Sequence, residues 1–317
     1  MSQSTCVVTG AAGFIGSHLV DRLLQRGDRV IGIDNMVLGR RENLTSALDS
    51  GNFALHQLDI NEYSRFLDCL RNEGPIQTVW HMAANSDIAA GVNNPEIDLT
   101  RTFMTTFNVL NAMHTLKIPR LCFASTSAIY GDMDKVLAED TGPLFPISSY
   151  GATKLGSEAI ISAALERFLE CAWIFRFPNV VGGRATHGAI FDFIRKLQKT
   201  PGELEVLGDG SQEKPYLHVS ELLDAMLFLF DRVKDKLNYF NISPDGSATT
   251  VRQIAETVVK VVSPGAKIRY TGGSKGWVGD VPRFRYSIEK LKAAGWAPKM
   301  TSNQAVELAV RENANGQ

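Results

Sequence analysis

The chain has 317 residues, of which 44% are hydrophobic and 21% charged, values typical of a globular protein with a sizeable core. Its 33 Lys and Arg residues balance 34 Asp and Glu residues, giving a net charge of -1. No overall positive field therefore favours a nucleic acid or an anionic membrane as partner.

The cysteines and the N-terminal sequence bear on which classes of protein are excluded. The four cysteines are far apart and form no CxxC pair, which argues against a metal site and a disulfide framework. The N-terminal sequence has no signal-peptide pattern, and no segment approaches the roughly 20 apolar residues of a bilayer span. We therefore expect a cytoplasmic protein.

Short apolar runs alternate with longer amphipathic stretches in the first half of the chain. The runs predict strands at 5–9, 29–34, 53–59, 78–83, 121–126 and 172–177. The stretches predict helices at 14–26, 63–71, 95–116 and 150–168. Apolar strands that are each followed by a helix indicate a parallel sheet covered on both faces, and right-handed crossovers make this a doubly wound Rossmann α/β fold.

After Arg176 glycines, prolines and turn-rich pieces become frequent. Helices are predicted at 189–198, 219–231, 251–261 and 301–312. We expect an NAD-binding Rossmann domain over 1–176 and a smaller C-terminal α/β substrate-binding domain over 177–317. The run 238–242 is a candidate late strand that returns to the first sheet.

A glycine-rich segment joins the first strand to the first helix. Gly10, Gly13 and Gly16 follow a GxxGxxG spacing, with Phe14 and Ile15 opening the helix. The first glycine permits a tight turn, the second a close approach of a pyrophosphate, and the third close packing of helix on strand. The alternative is a plain strand–helix turn.

Carboxylates end the second and third predicted strands. Asp34, 18 residues beyond Gly16, is placed to accept hydrogen bonds from an adenosine ribose, and it would repel a 2′-phosphate, which favours NAD over NADP. Arg40 and Arg41 favour the opposite choice. Asp59 would contact adenine or cap the next helix. The adjacent Asn35 and Ile60 complete this predicted cofactor surface.

A YxxxK motif opens the helix predicted at 150–168. Tyr150 and Lys154 are four residues apart and share one helical face. A tyrosine that acts as a base near neutral pH needs its pKa lowered by about three units, or roughly 4 kcal/mol. The Lys154 ammonium, together with an oxidised nicotinamide, would supply such a field. In many helices the same spacing occurs by chance.

Hydroxyl side chains end the fifth predicted strand, where ligands bind in parallel sheets. We predict that Thr126 hydrogen-bonds the reacting oxygen, and Ser125 and Ser127 are the alternative candidates for this role. A structural role in the turn remains the alternative for each.

Several motifs occur together in a recognisable order. They are GAAGFIGSHL, Asp34, HMAA at 81–84, STSAIYG at 125–131, YGATK at 150–154, GDGSQEKPYLHV from 208 and GWVGDVPRFRYSIEKLKAAGW from 276. As a set they resemble the extended short-chain dehydrogenase/reductase family, and within it the NAD-dependent sugar-nucleotide epimerases and dehydratases. The resemblance covers nearly the whole chain.

The resemblance implies a tightly held NAD and a 4-keto sugar intermediate. It makes Tyr150 the base that acts on the sugar 4-hydroxyl, Thr126 the partner of that oxygen, and Lys154 the anchor of the nicotinamide ribose. It adds Ala83, Ala84 and Ser86 to the cofactor surface. The substrate contacts that it implies are Ser86, Thr126, Ser127, Tyr150, Asn179, the 187–190 stretch, Arg195 and Lys214.

Departures from the family pattern bear on the reaction. Dehydratases of this kind place Asp-Glu directly after the threonine, whereas this chain has Ser127 and Ala128, which do no carboxylate acid–base work. Asp87 would have to substitute for that carboxylate. Lys214 and Trp277 stand where relatives often carry diphosphate-binding arginines, and Arg283 is a candidate to compensate.

Our first hypothesis is a 4-epimerase of a nucleoside diphosphate hexose, favouring a UDP-sugar such as UDP-glucose, an N-acetylhexosamine or a uronic acid derivative. The alternatives are a 4,6-dehydratase or a 4-ketoreductase, and, from another class, a regulatory NAD-binding module without catalysis. By analogy with relatives, the helices at 95–116 and 150–168 form the interface of a homodimer. The pathway is left open among galactose metabolism, surface polysaccharide biosynthesis and secondary metabolism.

Overall fold

The computed structural model describes residues 4–273 and 284–315. The strands of these residues are, in chain order, β1 (Thr5–Thr9), β2 (Arg29–Asp34), β3 (Phe53–Gln57), β4 (Thr78–His81), β5 (Arg120–Thr126), β6 (Val136–Leu137), β7 (Cys171–Phe177), β8 (Asn179–Val181), β9 (Glu203–Val206), β10 (Glu213–Lys214), β11 (Tyr216–His218), β12 (Leu237–Asn241), β13 (Thr249–Thr250), β14 (Lys267–Tyr270) and β15 (Arg285–Tyr286).

The helices follow the same order. They are α1 (Phe14–Gln25), α2 (Thr45–Leu48), α3 (Tyr63–Asn72), α4 (Ile88–Asn93), α5 (Pro95–Asp98), α6 (Thr105–Leu116), α7 (Ser149–Leu165), α8 (Ala189–Lys199), α9 (Val219–Arg232), α10 (Val251–Val262), α11 (Glu289–Ala293) and α12 (Ser302–Asn315). Short 3-10 turns lie at Arg41–Leu44 and Ser127–Tyr130. We find no helix in residues 4–273 and 284–315 that is both long enough and apolar enough to span a bilayer.

The main sheet has seven strands in the order β12-β7-β5-β4-β1-β2-β3. The central pairs are parallel, with Thr9 opposite both Ile33 and His81. Strands β2 and β3 lie on one side of β1, and strand β4 lies on the other. The order of the strands therefore reverses next to β1, as in doubly wound sheets. The predicted Rossmann fold is confirmed, and the late strand β12 lies at the edge of the sheet, beside β7.

Apolar side chains of the sheet and its helices form the core of the first unit. The strands contribute Val7, Ile31, Val79 and Leu121, each with no exposed surface, and helix α6 packs Met113 against them. Burying side chains of this size contributes about 1.5–3 kcal/mol each. Both faces of the sheet are covered, which is why its strands read as nearly continuous apolar runs.

The chain divides into two compact units. The first consists of the described residues of Met1–Ile129, Phe145–Arg176 and Met226–Phe240, and the second of those of Tyr130–Leu144, Phe177–Ala225 and Asn241–Gln317. One division falls between Arg176 and Phe177, where the sequence placed its boundary. The segment 130–144 differs, because β6 pairs with β15 in the second unit.

The second unit has its own apolar core. Helices α8, α10 and α12 contribute Ile194, Ile254 and Val306, and the β9 strand contributes Leu204 and Val206. Strand β9 pairs in parallel with β14, and β8 with β11. These short two-stranded pairs explain why the sequence of this half reads as turn-rich.

The helix predicted over 95–116 is present with these bounds, and its second turn is π-helical. The π-helical turn at Leu99–Met104 lies between α5 and α6. The hydroxyls of Thr100 and Thr105 each donate to the carbonyl oxygen four residues earlier, a bonding pattern that bends helices. Apolar periodicity does not show this competition for backbone acceptors, so the sequence did not predict the π-helical turn.

Candidate active site

The glycine turn between β1 and α1 has no room for side chains. Gly10 has a φ of +67°, and a Cβ there would lie 2.9 Å from the backbone nitrogen of Ala83. A Cβ at Gly16 would lie 2.0 Å from the carbonyl oxygen of Gly10. Gly13 is the N-cap of α1 and has an extended backbone, so Phe14 and Ile15 begin the helix with free N–H groups that a pyrophosphate can accept from.

Asp34 ends β2 beside this turn. Its buried carboxylate accepts the N–H of Ala12 at 2.9 Å and of Met36 at 2.8 Å. Burial raises the pKa of Asp34, and the N–H groups of Met36, Ala12 and Gly13 oppose that rise. The carboxylate therefore holds the glycine turn and lies where a ribose hydroxyl is predicted.

The neighbouring polar residues form a second contact. Asn35 donates to the carboxylate of Asp59 at 2.9 Å, and Asp59 also accepts the N–H of Asn61. The N-cap of α3 is Glu62, so the interpretation of Asp59 as that helix cap was wrong. Ile60 is buried, whereas Arg40 and Arg41 are exposed.

A buried histidine supports the loop that follows β4. His81 Nδ1 lies 2.7 Å from Thr9 Oγ1, and His81 Nε2 lies 3.1 Å from Thr106 Oγ1. The Thr106 hydroxyl donates to the carbonyl of Thr102, so it accepts from Nε2, and Thr9 donates to Nδ1. Burial lowers the pKa of His81 to about 3, and the ring is neutral.

The same network reaches the predicted cofactor surface. Thr9 Oγ1 also accepts the N–H of Ala83 at 3.2 Å. Ala83 and Ala84 are half-buried, while Ser86 is exposed. A neutral imidazole therefore fixes the backbone that faces the glycine turn.

The structure brings together Tyr150, Thr126 and Lys154. Tyr150 lies in the first turn of α7, capped by the Ser148 hydroxyl, which accepts the N–H of Gly151 at 3.1 Å. A Cβ at Gly151 would lie 2.4 Å from the carbonyl oxygen of Ala128, so this glycine lets α7 approach the end of β5. The side chain of Thr126 lies close enough to the phenol of Tyr150 to lower its pKa.

Lys154 is fully buried beneath the tyrosine. Its Nζ donates to the carbonyl oxygen of Ala124 at 2.6 Å and lies 4.6 Å from the centre of the Phe123 ring. The distance from Nζ to the centre of the Tyr150 ring is 6.0 Å. The ammonium is thus fixed under the tyrosine ring, against strand β5.

Burial moves both ionisable groups toward their neutral forms. It raises the pKa of Tyr150 to about 12, with Thr126 opposing and Asp98 adding to the rise. It lowers the pKa of Lys154 to about 7, with the Glu158 carboxylate opposing. Desolvation is the largest contribution for each group, so the lowering of the tyrosine pKa by Lys154 and an oxidised nicotinamide stays a prediction.

Ser125 does not compete with Thr126. Neighbouring residues of a strand point to opposite faces, and the Ser125 hydroxyl donates to the carboxylate of Glu158. Glu158 is in turn paired with Arg176, whose Nη2 lies 2.7 Å from its Oε2. The sequence did not predict this buried cluster, although Glu158 lies four residues beyond Lys154, at the same spacing as Lys154 from Tyr150.

A second missed group is the carboxylate of Asp98. It is buried, accepts from Asn85 Nδ2 at 2.8 Å through Oδ1, and has no hydrogen-bond partner at Oδ2. Burial raises the pKa of Asp98, Asn85 opposes that rise and Asp87 adds to it. The sequence did not predict this group, because it did not predict the π-helical turn that directly follows Asp98.

The remaining predicted contacts lie in the second unit or outside the described residues. Asn179 is exposed at the start of β8, and Arg195 is exposed on α8 with its guanidinium 5.4 Å from the Phe191 ring centre. Lys214 is half-buried in β10 and pairs with Thr249 across the strands. Trp277 and Arg283 lie outside the described residues.

Comparison with known proteins decides the family. A family model described as the NAD dependent epimerase/dehydratase family matches residues 6–243. The chain belongs to this family. UDP-glucose 4-epimerase of Mycolicibacterium smegmatis is 32% identical over 96% of this chain and 96% of its own.

Solved structures agree with this assignment. A crystal structure of UDP-galactose 4-epimerase has a TM-score of 0.86 and 34% identity, covering 98% of this chain and 99% of its own. UDP-glucose 4-epimerase of Thermus thermophilus, solved with NAD, has a TM-score of 0.85 and 27% identity, covering 97% and 98%. The resemblance drawn from the motifs is therefore confirmed.

This epimerase/dehydratase-family enzyme uses NAD. The glycine turn and Asp34 fit that cofactor, because the turn has no space for a Cβ at Gly10 or Gly16 and the carboxylate lies at the end of β2. The roles predicted for individual site residues stay predictions.

Proposed function

We propose that this protein is an NAD-dependent 4-epimerase of a UDP-hexose. The observation that carries the proposal is the meeting of a phenol, a threonine hydroxyl and a buried ammonium at the ends of α7 and β5. This is the set of groups that reversible oxidation of a sugar alcohol needs: a base, a hydrogen bond to the reacting oxygen, and a positive charge near the phenolate.

Each side chain has one task in the reaction. Tyr150 removes the proton of the sugar 4-hydroxyl and returns it after the 4-keto sugar has turned. Thr126 hydrogen-bonds the same oxygen throughout. Lys154 stabilises the phenolate from below. When bound, NAD supplies a hydride acceptor and donor for C4 together with a positively charged ring.

The residues after Thr126 favour epimerisation over dehydration. Ser127 and Ala128 carry no carboxyl group, and loss of the 6-hydroxyl requires an acid and a base beyond those that act at C4. Asp87 is not free to replace them, because its carboxylate caps α4 by accepting the N–H of Ala90 at 3.0 Å.

The UDP-hexose is inferred from the relatives. The M. smegmatis protein, at 32% identity, is named for epimerisation of UDP-glucose, and the similar crystal structure for epimerisation of UDP-galactose. Within this proposal Asn179, Arg195 and Lys214 contact the nucleotide diphosphate or the sugar, and Ser86 and Ser127 line the path of the turning sugar.

A panel of substrates tests the proposal. Purified protein is incubated with UDP-, dTDP-, GDP- and CDP-hexoses in heavy water, and the products are analysed by NMR. We expect the C4 epimer of a UDP-hexose to form without added reductant and without deuterium at C5 or C6. Stoichiometric consumption of NADH would indicate a 4-ketoreductase, and deuterium at those carbons a dehydratase.

The proposal includes a homodimer. The side chains of Leu99 and Phe107, in the segment from α5 to α6, are 49% and 44% exposed, and covering them needs a partner surface. Analytical ultracentrifugation is expected to give twice the chain mass of 34.8 kDa. A monomer at micromolar concentration would contradict this part of the proposal.

A further inference from the structure

Glu158 continues the helical face that carries Tyr150 and Lys154. It lies one turn beyond Lys154 on α7 and is buried. Its Oε1 accepts from Arg176 Nε at 3.0 Å, and its Oε2 from Arg176 Nη2 at 2.7 Å. The bidentate guanidinium replaces the hydrogen bonds to water that the Glu158 carboxylate loses on burial.

Helix α7 is hydrogen-bonded to strand β5 at two successive residues of the strand. Lys154 donates to the carbonyl oxygen of Ala124, and Glu158 accepts from the hydroxyl of Ser125. The next residue of the strand is Thr126. The Lys154–Glu158 pair therefore fixes the position of the threonine relative to Tyr150, which lies one turn earlier on the same helix.

The charges around Lys154 give Glu158 a second effect. Tyr150 on α7 and His81 on β4 are both neutral near pH 7, since burial raises the pKa of the first and lowers that of the second. The carboxylate of Asp98 on α5 raises the pKa of Tyr150. Arg176 on β7 donates to the Glu158 carboxylate. The carboxylate that favours the ammonium form of Lys154 is that of Glu158.

We propose that Glu158 is a positioning residue that keeps Lys154 protonated and held against β5, and that Arg176 holds the Glu158 carboxylate in place for this task. The inference rests on the proposed function for its catalytic meaning. It does not rest on turnover for its test, because the protonation of Lys154 is measurable directly.

The test follows the charge of Lys154 by NMR. The holoenzyme is prepared with 15N-labelled lysine side chains, and the Lys154 signal is assigned by its loss in Lys154→Arg. Glu158→Gln removes the negative charge and is expected to lower the Lys154 pKa by about one unit. The double variant Glu158→Gln/Arg176→Met removes both charges and leaves no buried charge unpaired, and it is expected to lower the Lys154 pKa by a smaller amount.

Two controls separate charge from shape. Glu158→Asp keeps the charge but shortens the side chain, and its Lys154 pKa is expected to stay closer to that of the unmodified protein than to that of Glu158→Gln. Ser125→Ala removes a hydrogen bond to Glu158 without changing any charge, and no shift is expected. Near-UV circular dichroism verifies that each variant is folded.

The two charge variants decide the outcome. A lower Lys154 pKa in Glu158→Gln, with a smaller decrease in the double variant, supports the proposal, whereas no shift or a higher pKa would overturn it. If Glu158→Gln does not fold, the double variant is compared with the Ser125→Ala control and decides. An enzyme that fails to epimerise any UDP-hexose while showing these shifts would refute the proposed function and leave the Lys154–Glu158 coupling intact.

Discussion

The Nζ of Lys154 lies 6.0 Å from the centre of the Tyr150 ring, one helical turn away on α7. Burial raises the pKa of Tyr150 to about 12 and lowers the pKa of Lys154 to about 7. In the chain by itself, burial therefore favours the neutral form of each group. A positively charged ring bound over the phenol would favour its ionised form.

Replacing the phenol tests its role as base. Tyr150→Phe removes the hydroxyl but keeps the ring on α7, so we expect NAD to remain bound and turnover to fall about 10²–10⁴-fold, the range for loss of a general base. Bound NAD is measured by releasing and quantifying it, and turnover by NMR. Turnover unchanged within twofold would remove Tyr150 from the mechanism.

The glycine turn is expected to tolerate no side chain. Gly16→Ala places a Cβ 2.0 Å from the carbonyl oxygen of Gly10, and the backbone must shift at a cost of about 1–3 kcal/mol. We expect a lower unfolding free energy and loss of co-purified NAD. Gly51→Ala, where a Cβ meets nothing within 4 Å, is the matched control and should retain both.

The unpartnered oxygen of Asp98 is expected to destabilise the folded protein at neutral pH. Since its folded-state pKa is raised above the ordinary value of 3.8, the stabilising protonated form is lost as the pH rises through the folded pKa. Asp98→Asn keeps the acceptor for Asn85 and removes the charge, so we expect a gain of about 1–3 kcal/mol at pH 7.

That gain has a defined pH dependence. It should shrink as the pH falls toward 4, because more of the acid is then protonated, and urea denaturation at pH 7 and pH 4 measures it. The same variant should lower the Tyr150 pKa and move the acidic limb of kcat/KM, the limb that the catalytic base sets, to lower pH. A variant that is less stable at pH 7 than at pH 4, relative to the unmodified protein, would refute this interpretation.

The neutral His81 predicts a loss of stability in acid. Its folded-state pKa of about 3 lies below the ordinary value of 6.5, so the unfolded chain binds a proton that the folded chain does not. Stability should fall by about 1.4 kcal/mol per pH unit from this group as the pH decreases below 6.5. His81→Gln should flatten that slope, measured by urea denaturation between pH 7 and 4.5.

An exposed histidine provides the comparison. His114→Gln changes an exposed residue of α6 and should keep the slope of the unmodified protein. Equal slopes in the His81 and His114 variants would mean that His81 is charged in the folded protein.

Local patterning predicted the elements that carry the cofactor turn. Strands β1 and β2 begin and end at the predicted residues, because both are apolar runs bounded by polar residues and glycine. The predicted strand 53–59 ends at Gln57, since Asp59 turns to accept the N–H of Asn61. Such side-chain bonds compete with the ladder and leave no periodic signal.

Long-range contacts account for what the sequence did not predict. The pairing of Val136 and Leu137 with Arg285 and Tyr286 joins segments about 150 residues apart and places 130–144 in the second unit. The Glu158–Arg176 ion pair joins a helix to a strand, and each charged residue alone looks like a solvated surface residue. Only the fold reveals that both are buried.

The fate of the hydrogen at C4 tests the central claim most directly. The unmodified protein is incubated with UDP-glucose deuterated at C4, in ordinary water and without added NADH, and the product is analysed by NMR. If the hydride is transferred and returned within one active site, the C4 epimer forms and retains deuterium at C4. An epimer in which that deuterium has been replaced by hydrogen from water, or no epimer from any UDP-hexose, would contradict the account.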